Sequence, residues 1–313
     1  MPAQPTASGA ASTRRWRPDS PCDAAATLSA LRRGSGDPTY QLDRDGSIWR
    51  AARTPQGPVT LHLRTDRRAG EVCGSAWGPG AEWMLDRMPA MLGAADDPDG
   101  FVPAHPLLLE ARRRRPGWRV PATGLVLEAL VAAALEQKVT GQEAWYGWRC
   151  LLRRFGEPAP GPGEARRMRV LPTPSDLRRI PSWEWLRCRV DPARSRVVVT
   201  AARVADSLER TVGMPHDETE RRLRSLPGVG VWTAAEVRQR AHGDPDAVSF
   251  GDYHVAKNVG WALTGERVDD DGLADLLAPY RPHRYRVQRL LELAGVGAPR
   301  RGPRMAPRTH LPG

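Results

Sequence analysis

Long apolar runs, paired cysteines and lysine are what this 313-residue chain has least of. The longest nearly apolar stretch, 124–135, is interrupted by Glu128. It falls well short of the roughly 20 residues that cross a bilayer, so no membrane partner is expected. The N-terminus, MPAQPTASGAASTRRW, has no apolar centre, so no secretory leader is expected either. Cys22, Cys73, Cys150 and Cys188 are scattered and form no CxxC pair. That spacing argues against a zinc finger or a cysteine-held cluster and reads as reduced thiols in a cytoplasm. The histidines show no ligand spacing, so no metal site is expected.

Only Lys138 and Lys257 are lysines; 45 of the 47 basic residues are arginine. The formal net charge of +11 points to a polyanionic partner, nucleic acid above all. The same arginine skew is what a GC-rich coding sequence produces, so charge alone does not decide the matter. With 40% hydrophobic and 27% charged residues the composition is that of a folded chain, and the length suggests about two domains.

The texture changes near residue 105. Residues 1–21 and 298–313 read as disordered tails, the second one basic, because neither carries an apolar period. Residues 22–104 read as a small mixed α/β domain. Two strands flank an Asp45-Gly46 turn, 59–64 alternates as a half-buried strand does, and 81–91 reads as a helix. Residues 105–297 read as all helix, with Thr123 placed to cap a long helix through Leu135. A loop is expected over 157–174. Further helices are expected near 175–187, 192–212, 217–225, 231–242, 253–263, 270–278 and 283–294. The expected class is therefore α+β, a small α/β domain followed by a helical one.

The sharpest segment is Leu226-Pro227-Gly228-Val229-Gly230-Val231-Trp232-Thr233-Ala234. Pro227 stops one helix, and the two glycines permit the positive φ angles of a very tight turn. Val229 can pin the turn to the core. A turn without bulky side chains can press backbone amides against a phosphate. A lone PGxG would favour an ordinary helix corner over such a site. Here a carboxylate, Asp252, follows 22 residues after Gly230, at the start of the 253–263 helix. Negative charge is favoured at that place.

LPGVGVWTAAEV followed by SFGDYHVAKNVGW resembles the helix-hairpin-helix DNA glycosylase superfamily, and within it the 3-methyladenine DNA glycosylase II branch. The segment ending in Gln137, the Tyr280-Arg-Pro282-His-Arg284 segment and the strand-rich N-terminal part are similar too. The resemblance covers about 22–295. It implies a cytoplasmic, nucleoid-associated monomer that flips damaged bases out of duplex DNA and excises them. Asp252 matches the catalytic carboxylate, and Trp232 and Tyr280 match base-pocket aromatics. Gln137, Lys138, Pro227, Gly228, Val229, Gly230, Thr233 and Arg284 match DNA-binding positions. A monovalent cation on the hairpin carbonyls is implied, and no iron–sulfur cluster.

Strand-cleaving relatives carry a lysine just after the hairpin, where this chain has Trp232. A monofunctional enzyme acting on alkylated purines is therefore the reading. A glycosylase for deaminated or oxidised purines, or a non-catalytic DNA binder, are the alternatives. Two positions depart from the pattern. Glu236 stands four residues after Trp232 where an aromatic is possible, and Lys138 stands where an apolar wedge fills the gap left by the flipped base.

Overall fold

The computed structural model describes residues 10–299, so 1–9 and 300–313 of the expected tails lie outside the described residues. The first layer is built from β1 (Ser12–Trp16), α1 (Ala24–Leu28), β2 (Tyr40–Leu42), β3 (Ile48–Thr54), β4 (Gly57–Asp66), β5 (Glu71–Trp77) and α2 (Ala81–Met91). The strands pair antiparallel in the order β1-β5-β4-β3-β2. Val59, Leu61 and Leu63 alternate inward along β4 and meet Met84, Leu85 and Met88 of α2. At Gly74 a Cβ would stand 2.6 Å from the Met88 sulfur and 3.0 Å from Leu85 Cδ2, so a larger residue there would push these α2 side chains aside.

The expectation of a structureless tail through residue 21 fails at β1. Its sequence, STRRW, has one apolar residue, and no apolar period announces it. The strand forms because β5 offers an unpaired edge and Trp16 reaches the core. Arg14 adds a hydrogen bond to the Leu85 carbonyl at 3.1 Å.

The rest of the chain is mostly helical. It runs through α3 (Pro106–Arg114), α4 (Val126–Glu136), α5 (Gly141–Phe155), α6 (Pro162–Ala165), α7 (Pro174–Arg179) and α8 (Ser182–Arg187). Then follow α9 (Pro192–Arg203), α10 (Ala205–Glu209), α11 (His216–Arg224), α12 (Val231–Val237), α13 (Val255–Thr264), α14 (Asp270–Leu277) and α15 (Arg284–Leu293). The expected helices at 175–187 and 192–212 are each split, at Pro181 and at Val204. The expected 157–174 loop contains β6 (Glu157–Pro158), α6 and β7 (Arg169–Val170), and its Ala159, Met168 and Val170 pack on Ala51 of the sheet.

Thr123 is not the side-chain cap of α4. Its hydroxyl accepts from Leu125, one residue before the helix. The first-turn amides of Val126 and Leu127 donate instead to Glu209 of α10, both at 2.9 Å. Burial pushes that carboxyl above its ordinary range.

Two cores divide the helices. One gathers α4, α5, α7 to α12 and their loops. The other gathers α3, α13, α14 and α15 with Phe101, Trp118 and Val248. The first is crossed by a disulfide between Cys150 of α5 and Cys188 after α8, which corrects the expectation of four reduced thiols. Helix packing brings the two Cα atoms to 5.3 Å across a separation of 38 residues, within bridging range. Cys22 and Cys73 are free. Loop-closure entropy predicts that reduction costs roughly 2–4 kcal/mol. Denaturant unfolding with and without reductant measures this, and Cys150→Ser should reproduce the loss.

Candidate active site

The Leu226–Gly230 turn joins α11 to α12, and its conformation is decided at Gly228. This residue has φ +85°, and a Cβ there would stand 2.4 Å from Val197 of α9. Both the backbone angle and the space therefore demand glycine. Gly230 is different: its φ is −89°, so the expected use of positive φ at both glycines holds only at the first. Nothing lies within 4 Å of where a Gly230 Cβ would be. No side chain caps α12, so its first amides are left without a side-chain partner beside an open Cα. Val229, 5% exposed, pins the turn to the core, while Pro227 is exposed.

Gln137 ends α4 directly against this turn. Its Nε2 donates to the Gly228 carbonyl and to the buried Thr233 hydroxyl, both at 2.9 Å. Three sequence-predicted residues, Gln137, Gly228 and Thr233, are thus one hydrogen-bonded unit that braces the hairpin. Lys138 follows, exposed, with φ +54°. That left-handed backbone is uncommon for a residue with a long side chain, and it turns the chain sharply between α4 and the Thr140 capping box of α5.

Asp252 stands at the head of α13. Its Oδ1 accepts from the amides of His254 at 2.7 Å and Val255 at 3.1 Å. The helix begins two residues later than expected, so His254 and not Asp252 is its N-cap residue, and the carboxylate holds the helix head from two residues further back. Its Oδ2 accepts from Trp232 Nε1 at 3.2 Å. Two helix-terminal amides and one indole N–H thus converge on one carboxylate, a geometry that holds negative charge in a fixed place. Trp232 packs against the first helical core while Phe250, just before Asp252, packs against the second. The carboxylate lies on the seam between the two cores.

Tyr280 packs on the second core, with its ring centroid 6.2 Å from that of Phe101, and partial burial raises its phenol above the ordinary range. Arg284 faces inward. Its guanidinium grips Asp246 through Nε at 2.9 Å and Nη2 at 2.7 Å, and its own amide donates to the same carboxylate at 3.0 Å. The structure therefore joins Arg284 to the 244–252 segment that carries Asp252. At the end of α3, Arg112 donates to the Phe101 carbonyl, Arg114 pairs with Glu110, and Arg115 just beyond it pairs with Asp23. Lys257 lies 3.4 Å from the ring centroid of Tyr253, which is 75% exposed.

Residues that the sequence did not single out surround this seam, together with Glu236, which it did. Ser249, Gln239 and Gln288 are buried and bonded to one another, with Glu236 beside them. Asp96 and Arg286 form a buried pair that joins the loop after α2 to α15. No local pattern marks either group, because the partners lie 10 to 39 residues apart in the first and 190 apart in the second. Among the described residues no cluster of three or more His, Cys, Asp and Glu could hold a metal ion, and no helix is long and apolar enough to cross a membrane.

Comparison with known proteins agrees with this architecture. No family model matches the chain. Over 172 residues it is 30% identical to the probable bifunctional transcriptional activator/DNA repair enzyme AlkA of Mycobacterium tuberculosis, in two strains. The match takes in 52% of this chain and 34% of that relative, so the chain spans about a third of the curated relatives' length. The 3-methyladenine DNA-glycosylase of Archaeoglobus fulgidus superimposes with a TM-score of 0.74 at 16% identity, covering 89% of this chain and 97% of that one. The 8-oxoguanine glycosylase/lyase of Clostridium acetobutylicum superimposes with a TM-score of 0.69 at 12% identity, covering 91% and 98%. The same Clostridium enzyme is also solved with dsDNA containing cytosine opposite 8-oxoG. A small antiparallel sheet followed by helices is thus an α+β fold that the chain shares with the 3-methyladenine DNA-glycosylase of Archaeoglobus fulgidus and the 8-oxoguanine glycosylase/lyase of Clostridium acetobutylicum.

Proposed function

We propose that the chain is a monofunctional DNA glycosylase that excises alkylated purines of the 3-methyladenine or 7-methylguanine type from duplex DNA. The observation that carries the reading is the Asp252 carboxylate, fixed by Trp232 and the head of α13 on the seam between two helical cores. The hairpin with its open Gly230 and uncapped α12 presents backbone amides to one phosphate, which binds DNA without reading sequence. A target nucleotide turned out of the duplex then enters the seam. As the C1′–N bond lengthens, positive charge grows on the sugar. Asp252 opposes it from a position already organised, and a water attacks C1′ to leave an abasic site.

The aromatics favour alkylated purines. A cationic base is drawn to the faces of Trp232 and Tyr280, and its charge already weakens the glycosidic bond. The name of the Mycobacterium relative supports a repair role. Residues near the site support hydrolysis without strand cleavage. Of the two lysines, Lys138 lies beyond α4 and Lys257 on α13, and neither is on α12, where Trp232 stands. A cytoplasmic, monomeric enzyme on damaged duplex DNA completes the proposal. The neutral backbone oxygens of the hairpin are the donor set a monovalent cation takes; they would hold it against a phosphate, and no chemical step passes through it.

Release of labelled bases from methylated duplex DNA tests the reading. Free 3-methyladenine or 7-methylguanine, with heat-labile abasic sites and no strand cleavage, is the expected result. Release of 8-oxoguanine alone, with borohydride-trappable enzyme, would replace it by a lyase reading, the activity that the name of the Clostridium protein describes.

A further inference from the structure

Ser249 stands three residues before Asp252 and is 1% exposed. Its hydroxyl donates to Glu236 Oε1 at 2.7 Å. The same oxygen accepts from Gln239 Nε2 at 2.8 Å and Gln288 Nε2 at 3.2 Å. One donor and two acceptor sites are all a hydroxyl has, so its capacity is full. The backbone is held as well. The Ser249 amide donates to Gln288 Oε1 at 3.2 Å, and its carbonyl accepts from the Asp252 amide at 3.2 Å. Gln239 also grips the Ala247 carbonyl at 2.7 Å. Gln239, Gln288 and Glu236 are 1%, 3% and 7% exposed, so no water competes for these bonds.

We propose that Ser249, clamped by Glu236, Gln239 and Gln288, is a positioning residue that sets where the Asp252 carboxylate stands relative to Trp232. The geometry forms a closed ring. Trp232 and Glu236 lie four residues apart on α12, hence on one face. From that face the indole reaches Asp252 and the carboxylate reaches Ser249, while the backbone joins Ser249 to Asp252. The α12 face therefore holds the carboxylate-bearing segment at two points, and Gln288 ties it to α15 at a third. Glu236 is itself paired to Arg240 at 2.7 Å, and Arg240 donates to the Ala30 carbonyl of the N-terminal layer at 3.0 Å. The departure from an aromatic at position 236 thus acquires a use: a carboxylate there anchors the segment that bears Asp252. A catalytic group displaced by about 1 Å loses on the order of 10²-fold in rate.

The inference rests on the glycosylase reading, and two measurements keep them separable. The first is the single-turnover excision rate set against duplex affinity. Ser249→Ala should slow excision roughly 10- to 100-fold with Kd for undamaged duplex within about twofold, and Ser249→Thr, which restores the hydroxyl, should recover most of the rate. The second needs no substrate. The indole N–H resonance of Trp232, assigned by its loss in Trp232→Phe, should shift or broaden in Ser249→Ala and return in Ser249→Thr. Should Ser249→Ala fail to fold, Gln288→Met, of similar shape but without the amide, is read the same way. A wild-type rate with an unmoved indole resonance would overturn the inference. So would a rate loss matched by an equal loss of duplex binding. Wild-type protein inactive on every lesion, with the indole still responding to Ser249→Ala, would refute the glycosylase reading and leave the positioning role standing.

Discussion

Asp252→Asn should abolish base excision while leaving the fold and duplex binding in place. The substitution is isosteric. Asn can still accept from the His254 and Val255 amides, so the head of α13 stays held. What disappears is the negative charge, and with it the bond from Trp232, since an amide nitrogen turned toward the indole N–H is a second donor. Charge lost where the sugar becomes cationic is felt in the transition state and hardly in the bound ground state. A loss of at least ~10³-fold in single-turnover rate is expected, with Kd for a duplex changed by less than about threefold. The hairpin amides, which hold the phosphate, are untouched. Excision by Asp252→Asn within tenfold of wild type would remove Asp252 from the chemistry. A matching collapse of binding would make it a structural cap alone.

The second large effect is expected at Asp96. Its carboxylate accepts from both terminal nitrogens of Arg286, at 3.0 and 2.6 Å, and from the Val120 amide at 3.0 Å. The two side chains are 1% and 3% exposed. Asp96→Asn removes the counter-charge and leaves a buried guanidinium uncompensated, which typically costs about 3–5 kcal/mol. Thermal unfolding should shift down by roughly 5–10 °C. The double variant Asp96→Leu with Arg286→Met should be markedly less damaged than the sum of its parts, because no charge is then left to desolvate. Additive losses in that cycle would show that the pair is not coupled. The effect should also reach the site. Arg286 stands over the Phe101 ring at 5.9 Å from its centroid, and Phe101 meets Tyr280. Loosening the 96–101 loop therefore loosens one wall of the proposed base pocket.

Much of the architecture was legible before folding was considered. The helix at Ala81–Met91, the strands around Asp45-Gly46 and the α11-hairpin-α12 unit all announce themselves locally. Each depends on periodicity or on glycine angles within a few residues. The strand at Ser12–Trp16 was hidden because an edge strand is selected by the neighbour that needs pairing, not by its own pattern. The Glu209 cap of α4 and the Cys150–Cys188 bridge were hidden because their partners are 83 and 38 residues apart.

The same division runs through the site. Sequence alone determined that a tight turn forms at Gly228, that helices follow it, and that a carboxylate stands at the start of α13, because backbone conformation and helix capping act over short range. It could not choose among 45 arginines and 36 carboxylates which ones meet. Packing of the two helical cores made that choice. It sent Arg284 to Asp246, closed Gln137 onto the hairpin, brought Trp232 to Asp252 and filled the Ser249 hydroxyl from three directions. A buried polar group must find a partner wherever the fold has excluded water, and which partner is at hand is decided only when the helices dock.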